Sequence, residues 1–154
     1  MTIPMRQANS EDAEALTALV QAAYEPWIKV IGQKPGPMLA DYAQLIADHW
    51  VGIRSDAAGL IEAMVLIEQA DAMLLDNIAV RPDMQGQGRG KALVAWAEII
   101  AKDAGFSCLR LYAHEKMAAN VALYERLGFT ITKRVTEKGL NRIYMEKWLG
   151  RRDL

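Results

Sequence analysis

Met73-Leu74-Leu75-Asp76-Asn77-Ile78-Ala79-Val80 is followed by Arg81-Pro82-Asp83-Met84, then by Gln85-Gly86-Gln87-Gly88-Arg89-Gly90-Lys91, and then by an amphipathic run from Ala92 to Ala104. The succession reads as strand, turn, glycine-rich loop and helix. Glycines at the alternate positions 86, 88 and 90 leave backbone N–H groups unshielded, and the following helix aims the positive end of its dipole at the same place. Such a loop is a seat for phosphates. Spacing excludes two common versions of that seat. A dinucleotide fingerprint, GxGxxG, needs glycine at 91 or 93, where the chain has Lys91 and Leu93. A P-loop needs four residues between its glycines and a hydroxyl after its lysine, whereas Gly86 and Gly90 enclose three residues and Ala92 follows Lys91.

Outward from this stretch, the chain alternates short regular elements with turn signals. Ile3 to Arg6 predicts a short first strand, ended by Asn9-Ser10. A first helix opens at Ser10 with acids in its first turn and spaces Leu16, Leu19, Val20 and Ala23 along one face. Tyr24 to Pro37 mixes large apolar side chains with Gly32, Pro35, Gly36 and Pro37 and predicts a loop, followed by a second helix over Met38 to His49. Trp50–Arg54, Leu60–Glu68 and Met73–Val80 read as three strands joined by short turns, hence antiparallel neighbours. The helix after the glycine loop, with Leu93, Val94, Trp96, Ala97, Ile100 and Ala101, stops at Gly105. The next strand, Cys108 to Tyr112, follows a helical crossover and is therefore expected to run parallel to Met73–Val80. Ala118 to Leu127 predicts a last helix, and Phe129–Thr132 and Ile143–Trp148 a strand pair turning near Lys138-Gly139. These elements predict an α+β fold: one mixed, mainly antiparallel sheet of about six to seven strands with helices on both faces.

Length and composition bound the rest. The 154 residues predict a single domain, 1–154, and 52% hydrophobic with 24% charged residues is a globular balance. Net charge is −1, so no global field recruits nucleic acid or an anionic membrane, and any anion must be bound locally. The N-terminal residues lack a basic segment before a long apolar core, and no stretch approaches the ~18 apolar residues of a spanning helix, which predicts a cytoplasmic location. One cysteine, Cys108, forbids an intrachain disulfide. His49 and His114 lack Cys or acidic partners at ligand spacing, so no metal site is expected.

A second motif lies about 30 residues downstream. Asn120-Val121-Ala122-Leu123-Tyr124-Glu125-Arg126-Leu127-Gly128-Phe129 fits an ordinary packed helix with a glycine stop, and it also fits N-x-x-x-Y-x-x-x-G-F. Together with Val80-Arg81-Pro82 and the Q-x-x-G-x-G of Gln85, Gly88 and Gly90, it resembles the paired hallmarks of the GNAT superfamily of acetyl-CoA-dependent N-acetyltransferases. The specific residues of the resemblance lie between Asp76 and Phe129.

The resemblance implies that the two parallel strands splay apart after Val80 and Tyr112 to admit acetyl-CoA. The pantetheine arm would lie along the backbone of Ile78, Ala79 and Val80 like an added strand. Gln85, Gly86, Gln87, Gly88, Arg89, Gly90 and Lys91 would wrap the pyrophosphate, with Arg89 and Lys91 either adding charge or solvated. Asn120 would contact the cofactor, Tyr124 would place its hydroxyl near the thioester sulfur as general acid, and the Val80 N–H would stabilise the oxyanion. For a base, strand alternation puts Asp76, Ile78 and Val80 on one side, so Asp76 is the candidate; Glu62 and Glu68 are further carboxylates, and direct attack by a neutral amine needs no strong base. The acceptor pocket is expected from the least family-like segment, with Tyr24, Trp27 and Tyr42 as wall residues beside Asp76 and with Asp41, Asp48 and His49 nearby. Aromatics with acids favour a small amine, an amino acid or a peptide N-terminus over a nucleotide. The alternative is a non-catalytic CoA-binding sensor or interaction module on the same fold. The last strand and Trp148-Leu149, before the charged 150–153 tail, suggest a homodimer through an apolar edge.

Overall fold

A computed structural model of the chain describes residues 3–150. Seven strands form one sheet: β1 (Arg6–Gln7), β2 (Trp50–Asp56), β3 (Gly59–Glu68), β4 (Met73–Val80), β5 (Cys108–His114), β6 (Thr130–Glu137) and β7 (Leu140–Trp148). Their order is β1-β2-β3-β4-β5-β7-β6. All neighbours are antiparallel except β4 and β5, where helix α4 (Arg89–Asp103) makes the crossover. The fold class read from the sequence is the one observed.

Helices cover both faces. On one, α4 and α5 (Ala118–Arg126) bury Leu93, Val94, Ala97, Ala101 and Val121 against Met64, Leu66, Leu109 and Leu111. On the other, α1 (Ala13–Tyr24) and α3 (Tyr42–Asp48) bury Leu16, Leu19, Val20 and Tyr42 against Val51, Ile53 and Val65. Each such aliphatic side chain contributes roughly 1.5–3 kcal/mol by leaving water, which is why α1 needs no longer apolar stripe to dock.

Several local expectations change. The first strand begins only at Arg6. The cap at Ser10 gives way to Asn9, which caps a 3-10 turn, Ser10–Asp12, ahead of α1: Asn9 accepts from the Glu11 N–H while the Asp12 carboxylate accepts from the Asn9 N–H, and Asp12 is the residue from which α1 starts. The connection expected to be a loop contains a five-residue helix, α2 (Trp27–Ile31), which Pro26 starts and Gly32 ends in the left-handed region at φ 87°. Five residues carry too little periodicity to be recognised. The second expected helix is a 3-10 turn, Gly36–Leu39, and then α3, because the Asp41 carboxylate caps the Gln44 N–H at 3.1 Å and sets a new start.

Strand β7 is not an edge. It lies between β5 and β6, Leu149 is buried and its N–H donates to the Ser107 carbonyl. The edge-pairing argument for a homodimer therefore does not apply to the last strand, although the Trp148 side chain is exposed. Residues 151–153 of the charged tail lie outside the described residues. At the Lys138-Gly139 turn both residues have positive φ, 53° and 77°, the conformation that matches the twist of a tight hairpin.

Candidate active site

The site begins with a defect in the sheet. Strands β4 and β5 pair only at Met73–Leu75 against Leu109–Leu111. They part five residues earlier on β4 than expected, because the β3–β4 register slips between Val65 and Leu66: Leu66 faces Leu75 and Val65 faces Asn77, leaving Asp76 as an extra bulged residue. A bulge bends its strand, and here it turns the second half of β4 away from β5. It also breaks the alternation that put Asp76 on one side with Ile78 and Val80. Ile78 and Val80 pack with the α4/α5 cluster, whereas Asp76 accepts a hydrogen bond from the Tyr112 hydroxyl at 3.1 Å and lies with Leu74 and Tyr112 at an opening on the other side.

The parted backbone is unpaired on its β5 side. The Arg81 N–H donates to Ile61 on β3, so by antiparallel alternation Ala79 and Asn77 also face β3, while the N–H and C=O groups of Ile78 and Val80 face the cleft. Both carbonyls have side-chain donors: the Tyr24 hydroxyl reaches Ile78 O at 2.8 Å and the Gln85 amide reaches Val80 O at 2.9 Å. The two N–H groups point into a groove whose walls include Ala23, Trp27, Ala79 and the Gln85–Lys91 loop apart from Gln87.

That loop is preset without a ligand. Arg81 bonds both oxygens of Asp56, at 3.0 and 2.7 Å, and Asp83 at 2.6 Å, tying the end of β4 to the β2–β3 turn and holding the Asp56 carboxyl down to about 2. Gly88, at φ 76°, is the residue from which α4 starts, and the first intrahelical bond at that end is from Ala92 N–H to Gly88 O. The N–H groups of Arg89, Gly90 and Lys91 thus lack helix partners at the wall of the groove. Arg89 is only partly exposed. Its guanidinium approaches Glu62, a wholly buried carboxylate that also accepts from Arg54 at 2.6 Å. This pairing removes Glu62 from the candidate bases. Glu68 lies at the far end of β3, beside a cavity with His49 and Trp50, and is equally remote.

A second cavity opens on the other side of the parted strands and shares Tyr24, Ile78, Asn120 and Tyr124 with the groove. Tyr124 is buried, edge-on to Phe129 at 6.1 Å between ring centres, and burial pushes its hydroxyl up to about 12. It is a proton donor at neutral pH. Asp76 lines this cavity, and burial raises its pKa, against the lowering by hydrogen bonds from Tyr112 and Asn77 and by the Arg142 and His49 charges.

Of the expected wall residues, Tyr24 lines both spaces and Trp27 only the groove. Tyr42 lines neither: it is 2% exposed, and its hydroxyl donates to the Pro37 carbonyl at 2.7 Å and accepts from Asn77 at 3.3 Å. Tyr42 therefore supports the wall from beneath by holding the 36–39 turn. Asp41 and Asp48 are likewise structural, one capping α3 and the other bonded to Gln44. The sequence reading missed Tyr112, His114 and Arg142, all of which line the cavity. Tyr112 and His114 alternate along β5 and were recoverable as one face of the strand after the split; Arg142, 28 residues further on, had no such signal. Among the described residues no group of three or more His, Cys, Asp or Glu could hold a metal ion, and no helix is long and apolar enough to cross a membrane.

Residues 46–131, more than half of the chain, match the family described as Acetyltransferase (GNAT) domain. A mycothiol acetyltransferase of Salinispora tropica is 37% identical over 109 residues, which cover 68% of this chain and 31% of the relative. The ribosomal protein bS18-alanine N-acetyltransferase of Escherichia coli K12 is 39% identical over 83 residues, 54% of this chain and 52% of the relative. The chain thus spans about half the length of these curated relatives, or less. The crystal structure of the PaiA N-acetyltransferase from Thermoplasma acidophilum in complex with coenzyme A has the same fold, with a TM-score of 0.76 over 96% of this chain and 99% of that one at 22% identity.

Proposed function

Because the chain belongs to the GNAT acetyltransferase family, we propose that it moves an acetyl group from acetyl-CoA to the primary amine of a small molecule, amino acid or peptide N-terminus by direct attack on the thioester. One observation carries this reading: a groove lined by free backbone N–H groups and an acid-bearing cavity meet at Tyr24, Ile78, Asn120 and Tyr124. The groove fits the cosubstrate, because the Ile78 and Val80 N–H groups match an extended amide arm and the Gly86–Lys91 turn matches a pyrophosphate. Bound there, acetyl-CoA supplies an activated acyl carbon and a thiolate leaving group.

The chain's own groups do the rest. Asp76 accepts a proton from the acceptor ammonium, and its raised pKa makes it a better base than an ordinary carboxylate. As the C–N bond forms, the Val80 N–H donates to the acyl oxygen. As the C–S bond breaks, the Tyr124 hydroxyl passes its proton to the sulfur, and the second proton of the attacking nitrogen restores the tyrosine. Asn120 and Tyr24 close the junction, and Tyr24 keeps the Ile78 carbonyl occupied so that the edge presents donors. The mycothiol and ribosomal-protein alanine acetyltransferases named above are consistent with an amine acceptor.

The test is CoA release, followed by thiol titration, with a panel of amino acids, peptides, polyamines and aminoglycosides on wild type and Tyr124→Phe. Turnover that drops in the variant supports the assignment. A protein that binds acetyl-CoA but transfers to no amine is instead a CoA-binding sensor or interaction module.

A further inference from the structure

The acceptor-side cavity holds a cation that acetyl transfer to an amine does not use. Arg142 on β7 has a side chain only 10% exposed. Its guanidinium stacks on Tyr112 at 4.5 Å from the ring centre, and Nη1 donates to Glu137 at 3.2 Å. Nη2 lies against Gly36, where a Cβ would come within 2.5 Å of it. Arg142 pairs across the strands with His114, which places the two side chains side by side on one face. His114 Nδ1 accepts the Lys116 N–H at 3.1 Å, and burial lowers the pKa of the ring. The neutral ring therefore carries its proton on Nε2 and is a donor.

A positive side chain beside an ammonium acceptor repels it unless something of opposite charge lies between them. The cavity has two poles. Asp76 marks the negative one and Arg142 the positive one, with the neutral His114 ring beside it as a donor. Tyr112 touches both, donating to Asp76 at 3.1 Å and carrying the guanidinium on its ring.

We infer that the acceptor is a free amino acid, its ammonium held on the Asp76 side and its carboxylate on Arg142. The inference rests on the acetyl-transfer reading and narrows its acceptor class. The planar guanidinium fork suits a carboxylate, and Glu137 occupies only one of its terminal nitrogens. A peptide N-terminus, a polyamine or an aminoglycoside brings no carboxylate to this position and leaves Arg142 facing a cationic ligand. Such amines are selected against by the same charge that selects the amino acid.

The test compares amino acids with their own amides and decarboxylated amines, by initial rates of CoA release and by melting temperature in the presence of CoA. It uses wild type, Arg142→Gln, Arg142→Lys and Gly36→Ala. In wild type kcat/KM favours the carboxylate-bearing partner by about 10- to 100-fold, the size of a lost charge-assisted pair. In Arg142→Gln this ratio collapses toward one through the acceptor KM, and Arg142→Lys restores part of it. Gly36→Ala, whose added methyl displaces Nη2 while leaving the charge in place, lowers the ratio as well. The melting temperatures separate this inference from the one beneath it: amino acids that stabilise wild type but not Arg142→Gln uphold the carboxylate site even if no acetyl transfer occurs. A wild-type preference for amides or plain amines overturns the inference, as does a ratio that Arg142→Gln leaves intact. So does a melting temperature that no amino acid raises in a protein that transfers to none.

Discussion

The groove and the cavity adjoin, yet they are built from different materials. The hydrogen-bonding groups of the groove are backbone from one stretch, 78–91, with N–H groups exposed by a parted strand and a glycine turn, and side chains such as Trp27 and Leu123 only wall it. The cavity is side chains from separated elements: Tyr24 of α1, Asp76 of β4, Tyr112 and His114 of β5 and Arg142 of β7. A backbone site demands particular residues at fixed intervals, because only glycine takes φ near 76° without strain. A side-chain site demands only that its members meet in space. The groove is therefore fixed by intervals along the chain, and the cavity by which side chains the fold brings together.

The contrast can be broken where the two spaces meet. Tyr124→Phe removes the proton donor and keeps the ring, so kcat should fall by about 100-fold while affinity for acetyl-CoA, measured by calorimetry, holds. A fall in affinity with unchanged kcat would make Tyr124 a wall and nothing more. Gly88→Val tests the backbone half. Forcing a branched residue to φ 76° costs about 1–2 kcal/mol, so acetyl-CoA should bind roughly 5- to 30-fold more weakly, with the acceptor KM unmoved at saturating cosubstrate.

Asp76→Asn tests the side-chain half and its pH dependence. Burial raises the Asp76 pKa, so the ionised base is lost as pH falls through that raised value. Wild-type kcat/KM should show an acid limb above the ordinary carboxylate range, and the variant should lack the limb and be about 5- to 10-fold slower at neutral pH. The stability sign is opposite. A raised folded pKa contributes stability that is present at low pH and lost as pH rises through it, so at neutral pH the variant should melt no lower than wild type. Tyr42→Phe has the smallest effect on chemistry. Losing the bonds to Pro37 and Asn77 should cost about 1–2 kcal/mol of stability and raise the acceptor KM about threefold by loosening the 36–39 turn, with acetyl-CoA binding untouched.

Legibility followed the same division. The Met73–Val80 strand has the observed bounds, and the antiparallel pairs, the parallel crossover and the helices on both faces were readable from periodicity and connection length. Local rules failed where one residue or one short element decided. The bulge at Asp76 leaves no mark in an apolar strand pattern, yet it moves the split from Val80 to Leu75. Helix α2 is too short for periodicity, and it packs Ile31 with Leu140 of β7 and with Met117 just before α5, so its purpose is visible only across the cleft.

By itself the sequence determined the sheet-and-helix order, the glycine-rich loop and the family, because these depend on intervals along the chain: period 2 for strands, 3.6 for helices, and glycines where the backbone turns left-handed. Tertiary structure alone decided that Arg89 belongs to Glu62, that Tyr42 lies under the wall and not on it, and that Arg142 and His114 stand beside Asp76 and Tyr112. Those assignments depend on register and on which groups burial leaves without water, and neither quantity exists until the strands have paired.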